Sequence, residues 1–127
     1  MKVLVAGSRA RYLANPFATS LQIHARLAQL PAGSVVVHGA SPGGGVDRMA
    51  DSAARSLGLE VVAVPISAED RRRSTGRNAP ILRTLRLLHE HPDHERALVW
   101  WDGSSPGTRF TLGEVTARRI RVELYEA

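Results

Sequence analysis

The sequence predicts an α/β fold of the Rossmann-like type, a three-layer sandwich around a mostly parallel five-stranded sheet. Short apolar runs rich in valine recur along the chain, and each ends at a Gly, Pro or Asp cluster. Such runs are typical of strands buried on both faces. Between them lie segments whose apolar residues return at helical spacing. Alternation of strands and helices predicts parallel strands covered by helices on both sides, here in the order 3-2-1-4-5.

Five segments are predicted as strands. The first four are apolar runs without polar alternation. The fifth alternates apolar and charged residues, which suits an edge strand with one solvated face. In chain order the predicted strands are 3–6, 35–38, 61–64, 97–101 and 120–125.

Helices are predicted between the strands. The first covers 17–30, with Asn15 as its cap and Pro16 at its opening position, as both residue types favour. A helix after the fourth strand completes the pattern, whereas 65–78 is predicted as a long loop. The second and third helices are indicated by apolar residues on one face: Val46, Met49, Ala50, Ala53 and Leu57 in one, and Ile81, Leu82, Leu85 and Leu88 in the other.

Length and composition predict a single domain over residues 1–127, with 43% apolar and 23% charged residues, as in globular proteins. The chain has no cysteine, which excludes disulfides, thiolate metal sites and cysteine nucleophiles. The apolar start at 3–6 is far shorter than a signal-peptide core, and nothing later approaches a membrane-spanning length. We therefore expect a soluble cytoplasmic protein without a membrane partner.

The formal charge is +5, and Lys2 is the only lysine. Arginine offers a planar fork of donors that suits phosphate, and a net positive charge favours anionic partners. Heavy use of Arg and Ala can equally follow from a GC-rich genome. The charge therefore leaves the identity of the anion open.

The loops that follow the strands are the predicted ligand site, because in an open parallel sheet they gather at one edge. The second and fourth loops run through glycines and small hydroxyl residues into a helix. Glycines let a ligand approach the backbone and a helix start offers free N–H groups to phosphate, although glycines also serve tight turns. Neither loop is a Walker motif or a dinucleotide fingerprint. The candidate residues are Gly7, Ser8, Arg9, Gly39, Ala40, Ser41, Gly44, Gly45, Asp47, Arg77, Asn78, Asp102, Gly103, Pro106, Gly107 and Thr108.

Several of these candidates have two interpretations. Asp47 falls in the first turn of a helix, where a carboxylate can cap the helix or accept a ribose hydroxyl. Arg9 can clamp a phosphate or lie solvated at the surface. Asn78 can be a ligand residue or only a helix cap. The charge run 71–73 in the predicted long loop is either solvated or a mobile lid.

Two further motifs are given structural interpretations. Trp100 and Trp101 are adjacent in a strand, so their side chains point to opposite faces. Core packing is expected for both, although Trp101 also lies close enough to the edge to stack on a base. The stretch 89–95 is rich in His and acidic residues, but it lies at a helix end on the opposite edge of the sheet. We expect no metal there, and no cofactor elsewhere.

Four of these motifs, in this order, resemble the YspA-like branch of the SLOG superfamily. The resemblance spans nearly the whole chain. It implies a Rossmann-like fold that binds nucleotides or nucleotide-derived ligands, as in the cytokinin-activating LOG phosphoribohydrolases and the DNA-processing protein DprA. The motifs are Gly7-Ser8-Arg9, His38-Gly39 through Gly45-Val46-Asp47-Arg48, Arg77-Asn78, and Trp101-Asp102-Gly103 through Pro106-Gly107-Thr108.

The resemblance also implies roles for residues. Gly39, Gly44, Gly45, Gly107 and Thr108 would line a phosphate site, with Ser8, Arg9, Asp47, Arg77 and Asn78 around it. LOG enzymes carry a catalytic glutamate three residues beyond the threonine of their glycine-rich motif, and here that position is Thr111, with Glu114 one helical turn further. Dimers are usual among LOG relatives, so a homodimer or higher homo-oligomer is expected.

Three functional hypotheses follow. The first is binding or sensing of a nucleotide or nucleotide-derived ligand such as AMP, ADP-ribose or an NAD-like molecule. The second is hydrolysis of a nucleoside phosphate or an ADP-ribose derivative, with Asp47 or Glu114 as general base. The third is DprA-like binding of single-stranded DNA through the arginines, against which stands the small number of aromatic residues available for base stacking.

Overall fold

Five parallel strands form the centre of the molecule. The computed structural model describes residues 1–75 and 77–127. The strands are β1 (Lys2–Gly7), β2 (Val35–His38), β3 (Glu60–Ala63), β4 (Arg96–Trp101) and β5 (Arg121–Glu126). Their order is β3-β2-β1-β4-β5, and all four neighbouring pairs are parallel. The predicted α/β class and strand order are confirmed.

Helices cover both faces of this sheet. They are α1 (Pro16–Leu27), α2 (Val46–Ser56), α3 (Ala68–Arg73), α4 (Ala79–Glu90) and α5 (Pro106–Ala117), and a short 3₁₀ helix spans Ala10–Tyr12. One buried cluster contains apolar residues of α1 and α2, and the other contains apolar residues of α4 and α5. Within residues 1–75 and 77–127, no helix has the length and apolar character needed to cross a bilayer.

The first helix begins as predicted and ends early. The side chain of Asn15 accepts a hydrogen bond from the amide of Ala18, 3.1 Å away, which confirms the predicted cap. The helix ends at Leu27 rather than at residue 30, because the amide of Leu30 bonds the carbonyl of Leu27, only three residues back. The last turn is therefore of the tighter 3₁₀ type.

The prediction of one long loop over 65–78 is wrong, because α3 lies inside it. Ser67 and Asp70 form a reciprocal capping box, each side chain accepting from the other's backbone N–H at 3.0 and 2.9 Å. Arg86 of α4 binds Asp70 at 2.9 Å, and this contact, together with the cap, lowers the pKa of Asp70 to about 2. The exposed run 71–73 is the last turn of α3, where positive charge is favourable. Gly76, in the same predicted loop, lies outside the described residues.

The two tryptophans occupy opposite faces, as predicted. Trp100 is completely buried beneath α1 and stacks on Tyr125 with ring centroids 4.5 Å apart. Trp101 is half-buried on the other face, and its indole N–H donates to the carbonyl of Ser105. Both side chains serve the core.

Glycine at position 7 is required by the close approach of three elements at the end of β1. A Cβ there would meet the carbonyl oxygen of Trp100 and lie 2.6 Å from Cγ2 of Val46. Gly113, by contrast, lies in α5, where an added Cβ would have nothing within 4 Å of it. The two glycines are therefore a matched pair of positions at which to compare substitution by alanine.

Gly7→Ala is expected to lower the free energy of unfolding by about 2 kcal/mol or more, because a backbone oxygen cannot move aside for the added methyl. Gly113→Ala should raise it by about 0.5–1 kcal/mol, since alanine restricts the unfolded chain and favours the helix. Urea unfolding followed by circular dichroism measures both. Equal effects of the two substitutions would contradict the described packing at Gly7.

Candidate functional site

A cavity of about 410 Å³ opens at the carboxyl edge of the sheet, where β1 and β2 end and where α4 and α5 begin. This volume lies within the range of small-ligand sites, roughly 300–1,000 Å³. The predicted residues that line the cavity are Gly7, Arg9, Gly39, Ser41, Asp47, Arg77, Asn78, Pro106, Gly107 and Thr108. The loops of the predicted site therefore meet at one edge.

The remaining predicted residues do not line the cavity. They are Ser8, Ala40, Gly44, Gly45, Asp102 and Gly103. Gly45 has φ of 75°, and a Cβ on it would meet the carbonyl of Ser8 and lie 2.7 Å from the amide nitrogen of Ala10. Its glycine character is thus explained by the contact between the first and second loops, without any ligand.

Ser8 joins three loops. Its amide donates to the carbonyl of Trp100 at 3.0 Å, and its own carbonyl accepts from the amide of Val46 at 3.2 Å. Its buried hydroxyl donates to Asp102 at 2.9 Å. Hydrogen bonds from Ser104, and then from Ser105 and Ser8, hold the pKa of Asp102 well below its usual range. Ser8 and Asp102 therefore hold the loops of the cavity wall in place without lining the cavity themselves.

The second loop uses two of its amides internally, so these two are not free for a ligand. The amide of Ala40 donates to Nδ1 of His38 at 3.0 Å, and the amide of Ser41 donates to Asp47 at 3.0 Å. Since Nδ1 of His38 is an acceptor, its Nε2 carries the proton and donates to Asp51 at 2.7 Å. Asp47 thus holds the loop that precedes α2 and does not cap the helix.

The start of α5 presents unpaired amides at the cavity. Pro106 occupies the first position of this helix, and the next two amides belong to Gly107 and Thr108, which both line the cavity. In the described part of the chain, no acceptor bonds either amide. Unpaired N–H groups at the positive end of a helix dipole favour an anion.

Arg83, which the sequence analysis did not select, is the principal polar group of the cavity. It is only 7% exposed, Nη1 donates to the carbonyl of Gly39, and Nε has no partner among the described residues. Among those residues no carboxylate lies within ion-pair distance of it. Burial lowers the pKa of Arg83, and the charges of Asp47 and Asp70 oppose this shift. An arginine buried without a carboxylate partner is uncommon and costly.

The sequence held a signal for Arg83. Ala79, Arg83 and Leu87 follow one another at intervals of four, so a helix places them on one face. Ala79 and Leu87 are both buried, at 8% and 3% exposure. A charged residue on the apolar face of a predicted helix therefore indicated Arg83 as a candidate functional residue.

The charge of the cavity wall is predominantly positive. Among the described residues, four arginines line it, Arg9, Arg11, Arg77 and Arg83, against one carboxylate, Asp47. The rest of the wall is largely apolar and contributes a flat surface from Tyr12 and Phe110. This arrangement suits a ligand with an anionic group and a flat or apolar part.

Other candidates are either away from the cavity or bonded to the protein itself. Glu114, the alternative general base, binds Arg118 on the same helix and does not line the cavity. Thr111 lines it, but its hydroxyl donates to the carbonyl of Gly107 at 3.1 Å. The exposed run 71–73 does not line it either. Asn78 stands at the cap position of α4, and its side chain bonds Thr75 instead of the helix.

Compared with models of known protein families and with curated proteins, the chain matches none of them. The resemblance to the YspA-like branch of the SLOG superfamily therefore depends on the four sequence motifs alone. It stays a prediction.

The His-rich stretch 89–95 runs from the last two residues of α4 to the residue before β4, at the other end of the sheet. In the part of the chain that the structure describes, no three His, Asp or Glu side chains form a group that could hold a metal ion. His94 is 7% exposed and neither ring nitrogen has a partner among the described residues. Burial, and then Lys2 and His91, lower the pKa of His94 to about 4, opposed by Asp93.

Acid is expected to destabilise the folded protein through His94. Its pKa of about 4 lies below the ordinary value of 6.5, so between these values the unfolded chain binds a proton that the folded chain does not. Relative to His94→Leu, the wild type should lose about 2 kcal/mol between pH 7 and pH 4.5. Urea unfolding at several pH values measures this loss. His24→Leu, at an exposed position, is the control, and parallel profiles of wild type and His94→Leu would contradict the expectation.

Arg83→Met is expected to raise the free energy of unfolding by about 1 kcal/mol, because it removes a buried charge that lacks a carboxylate partner. Arg86→Met should lower it by about 1–3 kcal/mol, since it strips Asp70, 5% exposed, of its ion pair. Thermal and urea unfolding of both variants test this contrast. A loss in Arg83→Met as large as that in Arg86→Met would show that Arg83 stabilises the fold rather than serving a ligand.

Proposed function

We propose that this protein binds or senses a nucleotide or a nucleotide-derived anion, such as AMP, ADP-ribose or an NAD-like molecule, in the cavity at the carboxyl edge of the sheet. The observation that carries the proposal is Arg83, a guanidinium that is only 7% exposed, lines the cavity and has no carboxylate partner among the described residues. An anion in the cavity would supply the missing counter-charge. The resemblance to SLOG proteins supports the choice of nucleotides among anions.

The start of α5 adds to this support. Charge-assisted hydrogen bonds contribute about 1.5–3 kcal/mol each, and the cavity offers Arg83 together with the amides of Gly107 and Thr108. Three such bonds give about 4.5–9 kcal/mol, which corresponds to dissociation constants between about 0.5 mM and 0.3 μM before the cost of association is subtracted. Asp47, the one carboxylate of the described cavity wall, is suited to a ribose hydroxyl rather than to a phosphate.

Hydrolysis is the second candidate function, and Asp47 is the observation that favours it. One carboxylate oxygen of Asp47 accepts from Ser41, and the residue lines the cavity. Glu114 has less support because it pairs with Arg118. DNA binding has less support because Trp100 is completely buried. Self-association, which the resemblance implies, stays a prediction.

Isothermal titration with AMP, ADP-ribose, NAD and cyclic nucleotides tests the proposal. Arg83→Gln should weaken binding at least about tenfold, since one charge-assisted bond is lost. Gly39→Ala should weaken it as well, because the added Cβ would lie 2.5 Å from Nη1 of Arg83 and displace the guanidinium. Arg121→Gln removes the same charge at an exposed position of β5 and should leave affinity unchanged.

No binding to any of these compounds at millimolar concentration would contradict the proposal, as would equal affinities of wild type and Arg83→Gln. Chromatography of the same samples for free base or ribose phosphate decides between binding and hydrolysis. Hydrolysis requires product that disappears in Asp47→Asn, while the variant still binds.

A further inference from the structure

The cavity continues past Arg83 into the space between α4 and β1. Leu87 lies one helical turn beyond Arg83 on α4, and Leu4 lies in the middle of β1, paired with Val37 and Ala97 of the neighbouring strands. Both leucines line the cavity and are only 3% exposed. We call this part, bounded by Leu4, Ala6, Thr84, Leu87 and Thr111, the inner half.

The two threonines of the inner half offer no free donor to a ligand. The hydroxyl of Thr84 donates to the carbonyl of Pro80 at 3.1 Å, and the hydroxyl of Thr111 donates to the carbonyl of Gly107 at 3.1 Å. Each hydroxyl has a single proton, and each is therefore committed to its own helix. The other substituent of each Cβ is a methyl group.

The inner half thus offers a base no side-chain donor, and the lone pairs of the two threonine hydroxyls are its only side-chain acceptors among the described residues. A polar group that enters an apolar site loses its hydrogen bonds to water without replacement. An apolar or flat aromatic group gains from the same transfer. The charged groups of the cavity stand apart from this region, because Arg83 and the start of α5 lie nearer the carboxyl edge.

We infer that the ligand of this site is an amphipathic anion, whose phosphate binds Arg83 and the start of α5 and whose apolar or aromatic part fills the inner half. This inference rests on the proposed function and makes it more specific. The site selects the anion and the apolar surface, and it does not discriminate among bases by their hydrogen-bonding edges.

Titration with inorganic phosphate, methyl phosphate, butyl phosphate and phenyl phosphate tests the inference. Affinity should rise along this series, about fourfold for each methylene buried, and phenyl phosphate should bind at least about tenfold more tightly than methyl phosphate. AMP, GMP and UMP should bind within about threefold of one another, apart from the effect of ring size.

Two variants probe the inner half directly. Ala6→Val adds volume there and should reduce the affinity for phenyl phosphate to that for methyl phosphate, while inorganic phosphate binds as before. Thr111→Val removes a hydroxyl that the helix already occupies, so phenyl phosphate should bind as tightly or more tightly. A loss of fivefold or more in Thr111→Val would show that the hydroxyl binds the ligand and would overturn the inference.

The outcomes separate the two proposals. If inorganic phosphate binds through Arg83 but the apolar substituents add no affinity, the inference is wrong and the proposed anion site stands. A preference of tenfold or more for one of the three nucleotides would likewise overturn the inference and leave the proposed anion site standing. If no phosphate compound and no nucleotide binds, the proposed function fails and the inference fails with it. Circular dichroism of each variant establishes that it is folded.

Discussion

Ser8 holds together the loops on which the cavity depends. It lies just beyond β1, and its backbone bonds both Trp100 at the end of β4 and Val46 at the start of α2. Its hydroxyl donates to Asp102, the residue that follows β4. The strand order places β1 between β2 and β4, so a residue here is at the point where the crossovers diverge to opposite faces. The positions of both cavity-forming loops follow from this one junction.

The buried Arg83 of the cavity wall lowers the free energy of unfolding, and the rest of the fold must offset this loss. Arg83 is buried with a single carbonyl, that of Gly39, as its hydrogen-bond partner among the described residues. The glycine is needed because any Cβ would occupy the place of the guanidinium. Arg86, three residues after Arg83 on α4, is paired with Asp70 and Glu90. Neighbouring arginines on one helix thus have opposite environments: Arg86 is paired with two carboxylates, and Arg83 has no carboxylate partner among the described residues.

Much of the fold was predictable, because the signals for its strands and helices are local. Valine-rich runs without polar alternation predicted the buried strands, and Asn15 followed by Pro16 predicted the start of α1. The short helix α3 was missed because its arginines were interpreted as a solvated charge run, although Ser67 and Asp70 have the spacing of a capping box. Leu30 was assigned to α1 since a buried residue at helical spacing gives the same pattern in a 3₁₀ turn.

The sequence by itself determined the α/β class, the parallel order of the strands and the edge at which their loops gather, because hydrophobic period and crossover rules depend on neighbours along the chain. Only the tertiary structure decided which loop residues face the cavity and which face one another. Ser8 and Gly45 proved to join loops, while Arg83 proved to border the cavity. The physical reason is that whether a donor is free or already bonded depends on atoms brought together from distant parts of the chain.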